Sequence, residues 1–406
     1  MSGHKKSAPK MLQLSTDQEF HFEILRAVSL APYQGADVGE VLVAANKIEP
    51  GNFESYYAAF YELASRVQQV ADKIDPSKYP VSARHAYFRV ANYLRSADFF
   101  LHGNWEDKRI NDLWRRHVEA FDKAIALLPV PGERVTLQAR NFKIPAVFYG
   151  CGLPGRRPTV IVCNGFDGSQ EELYHVIIEA VLLRGWNAIS YEGPGQPTVR
   201  REQNLGFFGE WEEVLTPVVD YALTREEVDP EAIGSWGYSL GGYLVGRAAA
   251  FEHRCAAIMA LDGVYDFGAG VLKTLPPPLR AAFESGDEVT FNQAIEKALA
   301  NPAAPTSFRW SIEHGLWAYN TKSPFDFLSR CQSFSLAEIL HQIKTPVFSG
   351  DAEDDELLPG EGKVLAEKLG DLATYHFSPR RMVRESIVRL ARRCIRIKLC
   401  LTGSRM

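Results

Sequence analysis

A serine between small residues is the strongest chemical signal in this sequence. Ser239 lies in the segment 237–242 (GYSLGG), a G-x-S-x-G pattern that follows a predicted strand and precedes a predicted helix. In this pattern the serine occupies a sharp strand-to-helix turn, and the flanking glycines let neighbouring backbones approach closely. The pattern predicts a nucleophilic serine. The alternative is an ordinary glycine-rich turn.

A second group of residues, 164–168 (NGFDG), directly follows the predicted strand Thr159–Cys163. In folds that carry G-x-S-x-G, the loop after this strand usually supplies one of two backbone N–H groups that stabilise an oxyanion. We predict that the N–H groups of Phe166 and Leu240 form this oxyanion hole. A simple turn between strand and helix is the alternative.

Asp167 lies in the same loop. A carboxylate at this position is able to accept a hydrogen bond from a substrate or to take part in proton transfer. It is equally suited to cap the helix that is predicted to begin near Glu171. The sequence leaves both interpretations open.

A charged run, 351–356 (DAEDDE), follows the apolar strand predicted at Pro346–Ser349. This places it at the carboxyl edge of the sheet, where open α/β folds bind ligands. We predict Asp354, and after it Asp355, as the acid that would hold a catalytic histidine in the correct tautomer. The remaining acids of the run are predicted to be solvated.

The histidine that would complete such a triad is not evident. No histidine follows His376, which lies inside the last predicted strand, Leu372–Phe377. We therefore expect His376 to contribute to sheet packing, whereas a bend at the strand end would make it the base. Four upstream residues are expected to be ordinary buried or surface histidines: His175, His253, His314 and His341. Without a base, serine is a weak nucleophile at neutral pH.

Helical periodicity dominates the chain up to about residue 135. Apolar residues recur every three or four positions and predict three buried helix faces. These stripes are Phe60, Leu63, Val67, Val70 and Ile74; Ala86, Val90, Tyr93, Ala97 and Phe100; and Trp114, Val118, Phe121, Ile125 and Leu128.

From Arg134 onward, short β-rich runs alternate with helical runs, which predicts a mostly parallel sheet flanked by helices. The predicted strands are Pro145–Tyr149, Thr159–Cys163, Asn187–Tyr191, Ile233–Trp236, Ala256–Leu261, Pro346–Ser349 and Leu372–Phe377. The predicted helices between them include Glu171–Leu183, Trp211–Thr224 and Leu240–Ala250.

These patterns predict a helical lid domain at 1–135 and an α/β catalytic domain at 136–378. A helical insertion at about 268–342 interrupts the sheet, and its aromatic residues would either line an apolar pocket or form the core of the insertion. The residues concerned are Phe308, Trp310, Trp317 and Tyr319. The segment 379–406 is an atypical basic tail, with eight arginines and one lysine against one glutamate.

Composition and charge indicate which kind of molecule this protein binds. The 406 residues carry a formal net charge of -5 without a basic stripe in the main body, which disfavours nucleic acid as a partner. No secretory signal or run of apolar residues long enough to cross a membrane is evident, and the six cysteines lack metal-ligand spacing. We expect a cytoplasmic protein that acts on a small molecule, without metal or organic cofactor. A homodimer is left open.

Taken together, the segments GYSLGG, NGFDGSQEE, SYEGPGQ and SGDAEDDELLP resemble the FrsA-like branch of the α/β-hydrolase family. They are most similar to fungal pigment-pathway hydrolases of the yellowish-green type, which shorten polyketides, and to 2,6-dihydroxypseudooxynicotine hydrolase. The helical segment 82–101 resembles theirs as well, so the resemblance covers roughly residues 20–378.

The resemblance implies an α/β-hydrolase fold and a serine hydrolase that cleaves carbon–carbon bonds of β-diketones in secondary metabolism. It assigns Ser239 as nucleophile, Asp354 as acid and Asp167 as an additional pocket carboxylate. In the family a histidine follows the last strand, but this chain has 379–384 (PRRMVR) there, which predicts impaired activity. The alternatives are a carboxylesterase or thioesterase, and a catalytically impaired pseudo-hydrolase that binds a small ligand.

Overall fold

The computed structural model describes residues 12–353, 355 and 358–378. Asp354 and the basic segment 379–406 lie outside the described residues. The chain begins with helices, and a short 3-10 turn at Ala31–Tyr33 separates the first two. These helices are α1 (Gln18–Ser29), α2 (Val38–Ala45), α3 (Phe53–Ala71), α4 (Pro80–Asp98) and α5 (Lys108–Ile125).

The three predicted apolar stripes lie on α3, α4 and α5 and are largely buried. The α4 stripe is buried along its whole length, because this helix is enclosed by its neighbours. The α3 stripe ends earlier than predicted: Val67 is buried but Val70 is 52% exposed. In the last turn the buried face of α3 runs through Val67 and Ala71, four residues apart, and Val70 lies outside that face.

In the described part of the chain, a single sheet of eight strands follows, in the order β1-β2-β4-β3-β5-β6-β7-β8. β1 pairs antiparallel with β2, and β2 pairs antiparallel with β4, whereas all other neighbours are parallel. The strands are β1 (Glu133–Gln138), β2 (Lys143–Tyr149), β3 (Arg157–Cys163), β4 (Asn187–Tyr191), β5 (Val228–Tyr238), β6 (Ala257–Leu261), β7 (Val347–Ala352) and β8 (Ala373–Ser378).

All seven predicted strands are present, and the prediction of a mostly parallel sheet flanked by helices is confirmed. β1 was missed. It is an edge strand without a fully buried residue, so it lacks the apolar run that marked the others. It begins at Glu133, just before the boundary predicted at residue 135.

The predicted helix over 171–183 is present, with a π-helical stretch at Tyr174–Ile178 that leads into α6. The insertion between β6 and β7 is helical, as expected from its pattern. The helices are α6 (Glu179–Leu182), α7 (Pro197–Gln203), α8 (Glu212–Thr224), α9 (Leu240–Ala249), α10 (Phe267–Thr274), α11 (Pro277–Glu284), α12 (Glu288–Leu299), α13 (Thr306–Ala318), α14 (Pro324–Cys331) and α15 (Glu361–Leu369).

Each face of the sheet packs against a different set of helices. Side chains of one face, such as Val162 and Trp236, share a core with the N-terminal helices. Side chains of the other face, such as Ile161 and Cys163, pack with α8, α9 and the insertion. Neighbouring residues belong to opposite cores because side chains alternate along a strand. At the carboxyl end of β3, the loop that follows contacts α1 and α4 of the N-terminal helices and α13 of the insertion.

Candidate active site

Ser239 is the residue that joins β5 to α9. Its backbone has φ 59° and ψ -132°, a conformation that non-glycine residues rarely adopt and that costs about 1–3 kcal/mol. A Cβ atom at Gly237 would lie 1.9 Å from the carbonyl oxygen of Gly241, and one at Gly241 would lie 2.9 Å from that of Cys163. The glycines of the motif are therefore required by close backbone contacts around a strained serine.

The loop after β3 lies directly against this turn. A Cβ atom at Gly165 would be 2.7 Å from the backbone nitrogen of Leu240 and 3.0 Å from the Cβ of Ser239. The side chain of Gln196 donates a hydrogen bond of 2.6 Å to the carbonyl of Asn164 and so holds the loop in place. Because Leu240 opens α9, its N–H has no acceptor within the helix. The fold thus brings the predicted oxyanion loop and the first amide of α9 together beside Ser239.

Asp167 is held by an arginine of the N-terminal helices. Arg26 of α1 places Nη1 and Nη2 each 3.3 Å from Asp167 Oδ1. The same guanidinium donates hydrogen bonds of 2.6 and 2.7 Å to the carboxylate of Glu172. Arg95 of α4 donates a 3.4 Å hydrogen bond to the carbonyl oxygen of Asp167. The loop beside Ser239 is therefore tied to α1 and α4.

The helix-capping alternative for Asp167 is not what the structure contains. The hydroxyl of Ser169 accepts the hydrogen bond from the Glu172 N–H at 3.1 Å, at the start of the helical segment. The Asp167 side chain, which is 20% exposed, is engaged with Arg26 instead.

Three carboxyl groups, those of Glu23, Asp167 and Glu172, share the two arginines in this cluster, and Glu19 lies nearby. Burial alone would raise the pKa of Glu172, but Arg26 and Arg95 outweigh it and hold the pKa at about 2. Burial, followed by the neighbouring charges of Glu23 and Asp167, raises the pKa of Glu19 to about 8. A protonated carboxyl group at neutral pH therefore lies near the carboxylate of Asp167.

The acid predicted for the triad, Asp354, lies outside the described residues, so its position is not part of the site geometry. Asp351 accepts hydrogen bonds from the N–H groups of Gly362 and Lys363 and from the Tyr375 hydroxyl, at 2.9, 3.0 and 3.0 Å. Asp351 is therefore buried, so the prediction that it is solvated is wrong, and its contacts anchor α15. Asp355 accepts a hydrogen bond from the Leu358 N–H at 3.0 Å.

Asp262, which the sequence analysis missed, directly follows β6. Tyr238 pairs with Leu261 in the sheet, so Asp262 lies level with Ser239 on the adjacent strand. Its φ of 56° is also in the left-handed region. Desolvation, followed by the charges of Asp355 and Asp351, raises its pKa to about 7. An acidic residue directly after a buried strand was the available signal, because such positions line the carboxyl edge of the sheet.

His376 lies inside β8, opposite Gly350 of β7. It is half-buried, and its ring stacks on Phe348 with a centroid distance of 6.3 Å. Three strand spacings separate β8 from β5, which is about 14 Å at roughly 4.8 Å per spacing. His376 is therefore part of the sheet surface at this position, too far from Ser239 for a direct hydrogen bond.

His314 was predicted to be an ordinary helical histidine. It is a buried residue of α13, and its Nε2 atom lies 3.0 Å from the carbonyl oxygen of Phe166, in the loop beside Ser239. By contrast, His175 contacts the carbonyl of Tyr33, and His117 contacts that of Ala91, both away from this loop. Nothing in the sequence around His314 marked it, because its contact joins residues 148 positions apart.

Aromatic side chains of the insertion divide between the site and the core. Trp310 stacks on Phe99 at 5.1 Å and meets the Phe166 ring edge-on at 6.2 Å, so it lies beside the oxyanion loop. Trp317 and Tyr319 are buried within the helical packing. The core interpretation holds for Trp317 and Tyr319, and the pocket interpretation stays a prediction.

Within residues 12–353, 355 and 358–378, no three histidine, cysteine or acidic side chains are grouped to hold a metal ion. In the same ranges, no helix combines the length and apolar character that a membrane span requires.

Known proteins share both the motif and the fold. The model of the prolyl oligopeptidase family matches residues 214–288, which include Ser239. Hydrolase LUC6 from Fusarium is 34% identical over 361 residues, covering 85% of this chain and 84% of the relative. The alpha/beta hydrolase psoB from Aspergillus fumigatus is 33% identical over 353 residues, covering 80% of this chain and 77% of the relative. The chain belongs to the α/β-hydrolase family.

Further comparisons confirm the resemblance noted in the sequence. The 20-hydroxy-prefusarin hydrolase FUS2 from Gibberella moniliformis is 33% identical to this α/β hydrolase, and the match covers 82% of each chain. The crystal structure of 2,6-dihydroxy-pseudo-oxynicotine hydrolase superposes with a TM-score of 0.71 at 20% identity, covering 91% of this hydrolase and 95% of that chain. The second comparison shows a shared fold.

Proposed function

We propose that this α/β hydrolase is a serine hydrolase of secondary metabolism in which Ser239 attacks a carbonyl carbon of a small, aromatic or polyketide-derived molecule. The observation that carries the proposal is the turn at Ser239, with φ 59°, against which Gly165 of the β3 loop packs. A strained backbone at one serine, held by close glycine contacts, is typical of a nucleophile exposed at the end of a strand.

In this mechanism the oxygen of the attacked carbonyl becomes an oxyanion beside the start of α9. The N–H groups of Leu240 and Phe166 donate hydrogen bonds to it, and the positive end of the α9 dipole adds to the stabilisation. Loss of one such donor typically lowers kcat by about 10² to 10³.

The bond that breaks is proposed to be a carbon–carbon bond of a β-diketone. The Ser239 hydroxyl gives up its proton as its oxygen bonds to the carbonyl carbon. The bond to the adjacent carbon then breaks, and that carbon leaves as an enolate and takes up the proton that Ser239 released. Water hydrolyses the acyl-enzyme to the acid and free Ser239. The proton transfer is assigned to Asp167, which Arg26 holds in place next to the loop. The name of the relative FUS2, a 20-hydroxy-prefusarin hydrolase, is consistent with a small-molecule substrate.

The N-terminal helices are proposed to act as a lid over this site, completed by the insertion. The contacts of Arg26 and Arg95 with the β3 loop support this role, because they join α1 and α4 directly to the residues beside Ser239.

A second candidate is a pseudo-hydrolase that binds a small ligand without turnover. It is favoured because, in the described part of the chain, no histidine lies within hydrogen-bonding distance of Ser239. The acid role proposed for Asp354 would have no function without a histidine to orient.

The two candidates differ in whether the wild-type chain forms product and whether Ser239→Ala abolishes that product. An aromatic β-diketone is incubated with the wild-type chain, with Ser239→Ala and with Ser235→Ala, and products are measured by mass spectrometry. Ser235 lies on the same strand and is buried, so its variant controls for the loss of a hydroxyl. The proposal predicts a shortened ketone and an acid from the wild type and Ser235→Ala only. Cleavage of aryl esters alone would instead indicate a carboxylesterase. Equal product from Ser239→Ala would refute the nucleophile.

A further inference from the structure

Two buried histidines and an arginine, which lie far apart in the sequence, form a line of contacts that ends at the loop beside Ser239. His102 follows α4, His314 lies on α13, and Arg201 lies on α7. Arg201 Nη2 is 3.1 Å from His102 Nε2, and His102 Nδ1 is 3.0 Å from His314 Nδ1. His314 Nε2 is in turn 3.0 Å from the carbonyl oxygen of Phe166. The contacts form a continuous line from Arg201 to the oxyanion loop.

The protons in this line can be assigned from the partners together with the neutral state of both rings. A carbonyl oxygen only accepts, so His314 Nε2 carries a proton, and in a neutral ring His314 Nδ1 is then an acceptor. The proton between the rings consequently belongs to His102 Nδ1, which leaves His102 Nε2 as an acceptor. Two groups face that last nitrogen: Arg201 Nη2, which always donates, at 3.1 Å, and Asp98 Oδ2, which only accepts, at 3.3 Å. In the neutral ring the nitrogen accepts from Arg201, which also binds Asp98 at 2.6 Å. Every hydrogen bond in the line points toward Phe166.

The surroundings favour the neutral form of both rings. Burial, followed by the charge of His102, lowers the pKa of His314 to about 3 even though Asp167 opposes this shift. Burial also lowers the pKa of His102, although Asp98 opposes it. Asp98 is paired with Arg201 at 2.6 Å, so its charge is already compensated.

Aromatic contacts fix both rings. His102 stacks on Trp317 with a centroid distance of 4.2 Å and an angle of 12°. His314 stacks on Trp310 at 5.6 Å and meets the edge of the Phe166 ring at 4.8 Å. Rotation of either ring would break a stacking contact and a hydrogen bond together.

Phe166 is thereby held from two sides. His314 binds its carbonyl oxygen, and the residue before it, Gly165, packs against the backbone nitrogen of Leu240. We propose that His102 and His314 are positioning residues that, together with Arg201, fix the backbone of Phe166 for oxyanion stabilisation. This inference rests on the proposed serine hydrolase function, and it gives the two histidines a role that does not require either to act as base.

The activity test compares variants that remove the line with variants that preserve it. His314→Leu and His102→Leu remove the donors, whereas His314→Gln and His102→Asn keep an amide N–H near Nε2 and Nδ1, respectively. With a chromogenic aryl ester, we expect the leucine variants to lower kcat by at least about ten-fold with little change in KM, because the hole acts on the transition state. The amide variants should restore most of the loss. Equal kcat in all variants would overturn the proposal.

If His314→Leu fails to fold, His102→Leu decides the question, since it leaves the contact between His314 and Phe166 in place. Thermal unfolding of each variant separates a loss of kcat from a loss of folded protein. A fall in kcat that follows only the folded fraction would contradict a positioning role.

A measurement without turnover tests the same geometry. Nitrogen-15 NMR of the Ser239→Ala variant, with labelled histidine, reports the protonated nitrogen of each ring. At pH 7 we expect His102 protonated at Nδ1 and His314 protonated at Nε2. A proton on His102 Nε2, or on both its nitrogens, would overturn the line of donors. If the wild type shows no reaction at Ser239 while these tautomers are found, the proposed function fails and the hydrogen-bond line stands.

Discussion

Arg26 of the first helix donates two hydrogen bonds, of 2.6 and 2.7 Å, to the carboxylate of Glu172, which follows the loop beside Ser239. The two residues lie 146 positions apart, so this pair joins the first helix to the candidate active site. The Arg26 side chain is only 14% exposed and that of Glu172 only 2%, which makes their separation costly.

Replacing Arg26 with methionine leaves the buried carboxylates of Glu172 and Asp167 without their main partner. We expect the free energy of unfolding to fall by about 3–5 kcal/mol, as is typical when one member of a buried ion pair is removed. Urea unfolding measures this change in the free energy of unfolding. Arg115→Met is the control, because the ion pairs of Arg115 on α5 are exposed and should be worth about 0–1 kcal/mol. Equal effects of the two variants would contradict a buried anchor.

The pH dependence of stability tests Asp262. Its pKa is about 7 in the folded protein against 3.8 as the ordinary value, so between these values the folded state keeps a proton that the unfolded state has released. The free energy of unfolding contributed by this group therefore falls as pH rises from about 4 to 7. Asp262→Asn should remove this fall, so that the variant gains stability relative to wild type as pH rises through that range. Parallel stability curves from pH 4 to 8 would show that Asp262 titrates normally.

Gly165→Ala tests the contact between the oxyanion loop and the turn. The new Cβ would lie 2.7 Å from the Leu240 nitrogen, so the loop must move away from Ser239, at a cost of about 1–3 kcal/mol. We expect kcat for an aryl ester to fall by about ten-fold or more while KM changes little. Gly150→Ala is the matched control, because its Cβ would meet only ordinary contacts at 3.5 Å or longer. Comparable kcat values for the two variants would argue against this placement of the loop.

The missing base is tested by changing the segment after β8. Replacing residues 379–406 with an ending that places a histidine a few residues after β8 should raise turnover by several orders of magnitude, because a triad without its base retains only residual catalysis. His376→Ala should match the parent chain. If His376→Ala instead abolishes activity and the new ending adds nothing, His376 is the base.

The sequence predicted the parts of this molecule whose signals are local. Glycines two positions on either side mark the turn at Ser239. The strand β4 is a short segment whose five residues are all buried in the structure. Both elements were therefore recognisable from a few neighbouring residues. β1 lacked such a signal because it is an edge strand, with a partner strand on one side and solvent on the other. Val70 fits the three- and four-residue spacing, but the buried face passes through Val67 and Ala71 instead, and spacing alone does not choose between the two.

The contacts that position the loop were not readable in this way. Arg26 and Arg95 are charged residues of helices, which the sequence alone would place at the surface. They are buried because α1 and α4 pack against the sheet. His314 and Phe166 are distant in sequence, so neither predicts the other. Asp262 is a partial exception, because the sequence shows that it follows a predicted strand. The run 351–356, at the end of the adjacent strand β7, contains more acidic residues and was preferred for that reason.

Covalent labelling of Ser239 tests the central claim most directly. The wild-type chain, Ser239→Ala and Ser235→Ala are exposed to a fluorophosphonate, and the modified peptide is identified by mass spectrometry. The account predicts one phosphonate on the peptide that contains Ser239, in the wild type and Ser235→Ala, and none in Ser239→Ala. An unmodified Ser239 in a folded chain that still binds an aromatic ligand would contradict the account and indicate a pseudo-hydrolase.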